Sequence, residues 1–364
     1  MWPYWLLFLV PAVVAATDRR LHLPYSAWAQ LDRAPSFEWV GVGILFVLLV
    51  GARYQVGGDW ENYEVNLRSL TGLSLAESLA MGDPGYQLFS WLSLQMGWGV
   101  VAINTVAAAV FAVGLVAFCR AMPQPALALA VAVPYLVIVV AMGYTRQGVA
   151  IGLAMLGMLA LQRGRLPWFV FLVLLGTTFH KSAVLLLPIA GLAAAKNRFW
   201  ATAWGLGAAA MGYFVLVEDS VDNLVTNYID AEYQSSGTFI RLLMNVVPAV
   251  LMLKWRHNFF LDRGERMLWS WFAVISLVLF LVFFLTPAST ALDRVALYML
   301  PLQLAVFSRA PAVFGGAQGK VGDWTLLVLS YYALVLFVWL NFADNSSYWL
   351  PYRFYPLEVL LGNI

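Results

Sequence analysis

Seven cationic side chains lie at the outer ends of hydrophobic segments, where a chain of this composition should carry very few charges. They are Arg53, Arg68, Arg146, Lys181, Arg241, Arg294 and Arg353. Guanidinium and ammonium groups bind phosphate oxygens, and an arginine fork can do so through two parallel hydrogen bonds. Each cation alone could bind a lipid headgroup or a loop carboxylate about as readily as a substrate. Together, with none required by topology, they predict a site for an anionic ligand at the outer membrane surface.

The first polar motif spans residues 53–64 and follows the second hydrophobic segment. Two glycines allow a sharp turn, and Asp59, Trp60, Glu61 and Tyr63 follow them closely. Aromatic faces stack on the CH patches of sugars, while carboxylates and amides bind the hydroxyls. The motif therefore predicts a sugar-binding surface. The alternative is an ordinary interfacial loop with an aromatic anchor and solvated acids.

A second motif lies in a very tight turn between two apolar segments, where Tyr144, Arg146 and Gln147 come together. A guanidinium near a helix N-terminus makes a good anion clamp, because the fork and the helix dipole act in the same direction. The alternative is an arginine that caps carbonyl groups. Gly148 and Gly152 form a small-xxx-small face, which we expect to serve helix packing.

Further ionisable residues flanked by apolar helix are His180 with Lys181, and Arg294 with Tyr298. Such residues are functional candidates in a membrane protein. His180 could act as a base, as a donor to phosphate, or only as a satisfied polar residue at a helix turn. The i, i+4 spacing predicts that Arg294 and Tyr298 share one helical face. Asp293 and Arg294 could form a simple surface pair of little energetic value.

The elements that carry these residues follow from composition. Hydrophobic residues make up 62% of the 364 residues and charged residues only 11%. A soluble domain has a charged fraction nearer a quarter. Apolar stretches of about 15 to 22 residues recur between charged breaks, close to the length that crosses a bilayer. The fold class predicted is an all-α polytopic integral membrane protein. The net charge of +2 does not indicate a nucleic-acid partner, and the single Cys119 excludes an intrachain disulfide.

We expect about 12 membrane segments, with a range of about 10 to 14. An N-terminus outside places 14 of the 21 cations in inner loops, as the positive-inside rule predicts. The N-terminal segment reads as a first span, the alternative being a cleaved signal peptide. Residues 166–195 are short for two crossings and predict a broken or re-entrant hairpin with His180 near the turn. We expect residues 1–364 to form one transmembrane domain in which the outer loops 53–85 and 218–238 cover the site.

Four ordered motifs resemble a known family. They are Arg53-Tyr-x-Val-Gly-x-Asp59-Trp-x-x-Tyr63, Tyr144-x-Arg146-Gln147-x-x-Ala150, Phe179-His180-Lys181-Ser182-Ala183 and Arg294-x-x-x-Tyr298, spread over about 250 residues. In this order they are similar to the EpsG family of Wzy-like polysaccharide polymerases. The segment from Asp83 to Tyr86 adds to the resemblance.

The resemblance implies an enzyme at the outer, periplasmic face of the bacterial inner membrane. Its donor and acceptor are undecaprenyl-diphosphate-linked oligosaccharides, and glycosyl transfer releases undecaprenyl diphosphate. Membrane lipids would surround the protein, and a chain-length regulator would be a further partner. No cofactor, no metal and no nucleic acid is expected.

Roles for individual residues follow as hypotheses. The diphosphate ligands would be Arg146, Arg294, Arg241, Lys181 and Arg53. Arg146 and Arg294 would also stabilise charge on the leaving group. Asp59 is the first candidate for activating the acceptor hydroxyl and His180 the second. The sugar-binding residues would be Trp60, Glu61, Tyr63, Tyr144, Gln147 and Tyr298.

Three other functions are compatible with parts of the sequence. A glycosyltransferase that uses a polyprenyl monophosphate sugar would explain Asp59 and Glu61 as an acidic pair that binds a divalent metal. A flippase for lipid-linked oligosaccharides would suit the spans and the cations, but it should spread its cations through the bilayer depth and show an internal repeat. A membrane O-acyltransferase with His180 as base would need a cytoplasmic route for its acyl donor.

Overall fold

The protein is described here from a computed structural model that covers residues 1–18, 35–194, 207, 237–285, 289–316 and 319–363. Apart from residue 207, the predicted span 199–217 lies outside these described residues, as does most of the predicted outer loop 218–238. Within the described ranges the chain is helical, and its one β-type contact is an isolated antiparallel bridge between Arg53 and Phe354.

The helices are labelled here in chain order among the described residues. They are α1 (Trp2–Thr17), α2 (Phe37–Phe46), α3 (Trp60–Ser69), α4 (Leu75–Ala80), α5 (Pro84–Gln95), α6 (Gly99–Arg120), α7 (Pro125–Ala132), α8 (Thr145–Gln162), α9 (Leu166–Thr177), α10 (Leu187–Ala194), α11 (Thr238–Trp255), α12 (Arg263–Phe283), α13 (Ser289–Leu297), α14 (Leu300–Phe307), α15 (Val321–Phe342) and α16 (Tyr355–Leu360). Wider π-helical turns extend α2 over Val47–Gly51 and α7 over Val133–Ala141.

Five segments among the described residues are long and apolar enough to cross a membrane. They are Gly99–Arg120, Thr238–Trp255, Arg263–Phe283, Leu292–Gly315 and Val321–Phe342. Shorter apolar helices are Trp2–Thr17, Phe37–Gly51, Pro125–Ala141 and Leu166–Thr177. The chain is therefore a multi-pass helical membrane protein. The predicted count of about 12 spans stays a prediction, because several apolar segments are shorter than the roughly 20 residues that cross a bilayer unaided.

Small residues bring α6 and α8 into backbone contact. A Cβ on Gly114 would lie 2.1 Å from the carbonyl oxygen of Gly152, and a Cβ on Gly152 would lie 2.8 Å from Cα of Phe111. Both positions therefore require glycine for packing reasons. The prediction that Gly152 serves helix packing is confirmed. The contact also fixes the height of α8, whose first turn carries Arg146, against α6.

The apolar hairpin is broken at His180, as its two short halves predicted. Helix α9 ends at Thr177, and His180 is extended, with φ −156° and ψ 112°. The chain then continues in a tight 3₁₀ turn over Lys181–Leu186 before α10 begins. This irregular backbone places His180 and Lys181 at a turn, where their side chains can reach polar groups of other segments.

The C-terminal segment is hydrogen-bonded to the loop that follows the π-helical extension of α2. Backbone amides alternate across the two segments: Tyr54 donates to Arg353 O at 3.0 Å, Gly57 to Tyr348 O at 2.9 Å and Tyr355 to Ala52 O at 2.8 Å. Gly57 has φ +105°, and a Cβ there would lie 2.3 Å from Met142 O. The loop that leads to Asp59 is therefore held between the C-terminal segment and the end of the π-helical turn that extends α7.

Candidate active site

Arg146 lies at the centre of the polar groups that the fold brings together. It is the second residue of α8, and its Nη1 lies 3.0 Å from Oδ2 of Asp83, which precedes α5. The guanidinium also lies over the ring of Tyr86, 5.6 Å from its centroid. About 38% of the Arg146 side chain is exposed. A half-exposed fork at a helix N-terminus can therefore reach a ligand while Asp83 and Tyr86 orient it.

The segment that carries Asp83 is anchored to the turn at His180. The Gly85 amide donates to Thr178 O at 2.8 Å. A Cβ at position 85 would lie only 2.4 Å from the Thr178 hydroxyl oxygen, so the close approach requires glycine. The tilted rings of Phe89 and Phe179 pack beside this contact, with centroids 5.3 Å apart. The contact between the two segments brings Asp83 and Lys181 into one neighbourhood, where they interact electrostatically.

Two carboxylates and three cations form the open part of the site. Asp59 interacts electrostatically with Arg146 and Arg294, and Asp83 with Arg146, Lys181 and Arg294. Lys181 and Arg294 are exposed, while Asp59 and Asp83 are half-buried. The three cations come from α8, the turn after α9, and α13. The structure thus brings together Arg146, Lys181, Arg294 and Asp59, which the sequence placed far apart.

Burial raises the pKa of Asp59 above its ordinary value, and the nearby Arg146 and Arg294 oppose that shift. The Tyr63 hydroxyl lies 3.5 Å from Oδ2 of Asp59 and accepts a hydrogen bond from the Thr145 amide at 2.9 Å. Burial also raises the pKa of Asp83, again opposed by Arg146. A half-buried carboxylate with a raised pKa is a suitable proton acceptor near neutral pH.

His180 lies beside these cations but is itself largely buried, with 7% exposure. Its Nδ1 shares a hydrogen bond of 2.6 Å with the Ser182 hydroxyl. Burial, together with Arg294, Arg146 and Lys181, lowers the pKa of this turn residue to about 3. His180 is therefore neutral at physiological pH. It can act as a neutral donor or acceptor, and it does not add to the positive charge.

Arg241 and Asp293 form a second, closed ion pair. Nε of Arg241 lies 2.7 Å from Oδ1 of Asp293, and both side chains are about nine-tenths buried. Tyr135 and Tyr144 also hydrogen-bond to this guanidinium. The predicted surface pair between Asp293 and Arg294 is wrong, because Asp293 points inward to Arg241 while Arg294 is exposed.

Several predicted ligand residues lie inside the protein instead of facing a ligand. Arg53 is 1% exposed and donates to Val50 O, to Val56 O at 2.9 Å and to the Thr145 hydroxyl at 2.8 Å. This placement corrects its prediction as a diphosphate ligand. Its donors are used to fold the loop and to fix the residue next to Arg146.

The predicted sugar-binding set needs a similar correction. Trp60, Tyr63, Gln147 and Tyr298 are buried, with exposures of 2–5%. Trp60 and Tyr63 belong to an apolar cluster that also contains Tyr86 and Phe179.

Gln147 donates to the Arg294 carbonyl oxygen, and so ties α13 to α8. Tyr298 follows the end of α13 and is buried near Arg294, so the two do not share one exposed face. Glu61 is exposed, whereas Tyr144 is half-buried and its hydroxyl is engaged by Arg241, so Glu61 is the more accessible of these two predicted sugar contacts.

Sequence reasoning missed two residues that orient the cations. Asp83 was noticed only as part of a motif, and its pairing with Arg146 spans 63 positions. Asp293 pairs with Arg241 on a different helix. Among the described residues, no group of three or more His, Cys, Asp or Glu side chains is placed to hold a metal ion.

The model of the EpsG family matches residues 39–354, which is most of the chain. No curated protein and no solved structure matches. The family match confirms the resemblance seen in the motifs and supports a polysaccharide-polymerase-like role in a multi-pass membrane protein.

Proposed function

This chain belongs to the EpsG family, and we propose that it joins undecaprenyl-diphosphate-linked oligosaccharide repeat units at the periplasmic face of the bacterial inner membrane. One lipid-linked chain is the donor, and a sugar hydroxyl of a second lipid-linked unit is the acceptor. The observation that carries the proposal is the convergence of Arg146 and Arg294 on Asp59 and Asp83, with Lys181 also acting on Asp83.

The three cations suit a diphosphate leaving group. They come from three separate segments and remain at least partly exposed, so they can surround a ligand with several anionic oxygens. Arginine remains charged at any working pH, and its fork matches phosphate geometry. The N-terminus of α8 adds a favourable dipole at Arg146. In the free protein Asp83 holds Arg146 at 3.0 Å, and in the complex a phosphate oxygen takes over part of that contact.

The reaction needs one bond formed, one bond broken and one proton moved. The acceptor oxygen attacks the anomeric carbon of the donor sugar, and the bond from that carbon to the phosphate oxygen breaks. The electron pair leaves with the diphosphate, where Arg146 and Arg294 stabilise the developing charge. The acceptor proton passes to the Asp59 carboxylate, whose raised pKa suits this transfer. His180, neutral and near the same cations, is the second candidate for this role.

Arg241 contributes indirectly in this mechanism. Its guanidinium is engaged by Asp293, Tyr135 and Tyr144. We assign it to holding α11 and α13 together, which positions Arg294 next along the chain from Asp293. Of the predicted sugar contacts, the fold leaves Glu61 exposed and part of the Tyr144 ring accessible.

The direct test is polymerisation by the purified protein in detergent. Undecaprenyl-diphosphate-linked repeat units are added with a chelator present, and the products are separated by size. A ladder is expected from the native protein and is expected to be lost in Arg146→Ala and Arg294→Ala. Arg68→Ala is a matched control, because Arg68 is a highly exposed cation that, among the described residues, pairs with Glu64 one turn away.

Two results would overturn the proposal. If no ladder forms but the same lipid crosses a vesicle membrane, the cations belong to a transport pathway. If a ladder forms only when a divalent metal is added, the reaction is closer to that of a metal-dependent glycosyltransferase.

A further inference from the structure

At the end of the bundle opposite the candidate site, α6, α8 and α9 enclose an apolar groove with a volume of about 330 Å³. Leu156, Leu159 and Leu172 line it, and Trp168 and two arginines, Arg163 and Arg165, lie at its mouth. Arg146 and Arg163 are 17 residues apart on α8, which corresponds to about 25 Å along a helix. The groove therefore lies near the other surface of the bilayer.

The two arginines are held at the mouth by a defined turn. Helix α8 ends at Gln162, and Gly164 adopts φ +69°, a left-handed conformation that closes the helix. The Gly164 amide donates to Leu161 O at 2.9 Å and the Arg165 amide to Ala160 O at 2.9 Å. These are the two hydrogen bonds of a Schellman cap. The cap fixes the backbone of Arg163 and Arg165, so both cations start from the rim of the groove.

The surroundings favour a lipid as the occupant. Trp168 is 57% exposed and stacks edge-on against Phe171, with ring centroids 5.7 Å apart. Trp at this depth is typical of the boundary between acyl chains and headgroups. Arg165 is exposed, and it immediately precedes α9, so the positive end of that helix dipole points to the same rim. The groove thus combines an apolar floor with a cationic mouth.

We propose that this groove binds an anionic glycerophospholipid, with its phosphate against Arg163 and Arg165 and an acyl chain along Leu156, Leu159 and Leu172. Basic pockets between membrane helices recognise anionic headgroups in this way. The occupant is a lipid because the floor is apolar and accommodates a hydrocarbon chain, which free phosphate lacks. The proposal does not depend on the polymerase reaction, since the arginines that would bind the headgroup begin about 25 Å along the helix from Arg146.

The test is lipid retention measured by native mass spectrometry. The purified protein is equilibrated with phosphatidylglycerol or phosphatidylcholine, and bound lipids are counted. We expect the native protein to retain phosphatidylglycerol preferentially, and the double variant Arg163→Gln with Arg165→Gln to lose about tenfold in that preference. Lys254→Gln with Arg256→Gln is the matched control, because it removes two cations at the same end of the bundle outside the groove.

A second variant tests the apolar floor without changing charge. Ala160 also lines the groove, and Ala160→Leu would fill part of it. It is expected to reduce phosphatidylglycerol retention while the arginines remain. Equal loss of binding in the control pair would show a general charge effect and overturn the proposal. The absence of any preference between the two lipids would also overturn it. So would full phosphatidylglycerol retention both in Ala160→Leu and in the Arg163→Gln, Arg165→Gln double variant.

Discussion

Two arginine–carboxylate pairs at opposite ends of the bundle show how one chemistry serves two purposes. Arg146 and Asp83 lie 3.0 Å apart, with side-chain exposures of 38% and 16%. Arg309 and Glu265 lie 3.6 Å apart, with exposures of 5% and 8%. The first pair is the more open, although its contact is the shorter. Ion pairing alone therefore does not distinguish a ligand-binding arginine from a structural one.

The difference lies in what surrounds each arginine. Arg146 shares its neighbourhood with Lys181, Arg294 and Asp59, so positive charge accumulates where a ligand can enter. Arg309 donates to Ala305 O at 3.0 Å and to the Met122 sulfur at 3.2 Å, inside packed helices. The open pair can exchange its carboxylate for a ligand oxygen. The buried Arg309–Glu265 pair instead holds α12 against the end of α14.

Breaking the buried Arg309–Glu265 pair is expected to give the largest effect on stability. Arg309→Ala leaves Glu265 buried without its partner, which costs roughly 3 to 5 kcal/mol in comparable cases. Thermal unfolding in detergent measures the loss. The double variant Arg309→Met with Glu265→Gln should recover much of it, because no charge then remains buried. Normal stability of Arg309→Ala combined with lost polymerisation would instead place Arg309 in the reaction.

Breaking the open pair should have the opposite signature. Arg146→Ala is expected to reduce turnover by about 10²- to 10³-fold, the loss seen when one donor to a developing charge is removed. Its stability should change by no more than about 1 kcal/mol, because a half-exposed pair is screened by solvent. Initial rates of ladder formation and thermal unfolding are measured on the same preparation. A large loss of stability with little loss of rate would make this pair structural too.

The raised pKa values of Asp59 and Asp83 predict that activity at the open site depends on pH. As a proton acceptor Asp59 must be ionised, so activity is full above its raised pKa and falls as pH falls through it. Asp59→Asn should lose about 10²-fold in rate at neutral pH and lose this acidic limb. Asp83 also has a raised pKa, so Asp83→Asn separates its contribution. If the acidic limb is unchanged in Asp59→Asn, the proton acceptor is not Asp59, and His180 and Asp83 become the candidates.

The sequence was sufficient for the class of fold, and it also singled out cations that the structure brings together. Hydropathy predicted a helical membrane protein, and the polar residues between two short apolar halves predicted the break at His180. Arg146, Lys181 and Arg294 were predicted to act together, and the structure brings all three near Asp83, and two of them, Arg146 and Arg294, near Asp59. Ionisable residues at the ends of apolar helices carry this signal because their burial would otherwise be costly.

Exposure and long-range pairing could not be predicted from the sequence. Arg53 has the same local appearance as Arg146, yet its donors are used by Val56 O and Thr145. Trp60 and Tyr63 have the composition of a sugar platform, yet they pack in an apolar cluster. The pairing of Asp83 with Arg146 depends on how α5 and α8 pack, and no local pattern reports it. Composition tells which groups can bind, and packing decides which of them face the ligand.

The smallest expected effect concerns Gln147, which belongs to neither ion pair but links α8 to α13 through the Arg294 carbonyl oxygen. Gln147→Leu removes one hydrogen bond, of about 1 kcal/mol, and should lower turnover by roughly fivefold to tenfold if that bond positions Arg294. The same substitution in an Arg294→Ala background should then have no additional effect on rate, because the group that it positions is absent. Additive losses in this double-mutant cycle would mean that Gln147 acts on the substrate directly, as the sequence first suggested, or on the fold as a whole. Thermal unfolding of the single variant separates those two, since only the second lowers stability by clearly more than the roughly 1 kcal/mol of that hydrogen bond. A non-additive result would show that the functional region includes the cations and also the hydrogen bond from Gln147 that positions Arg294.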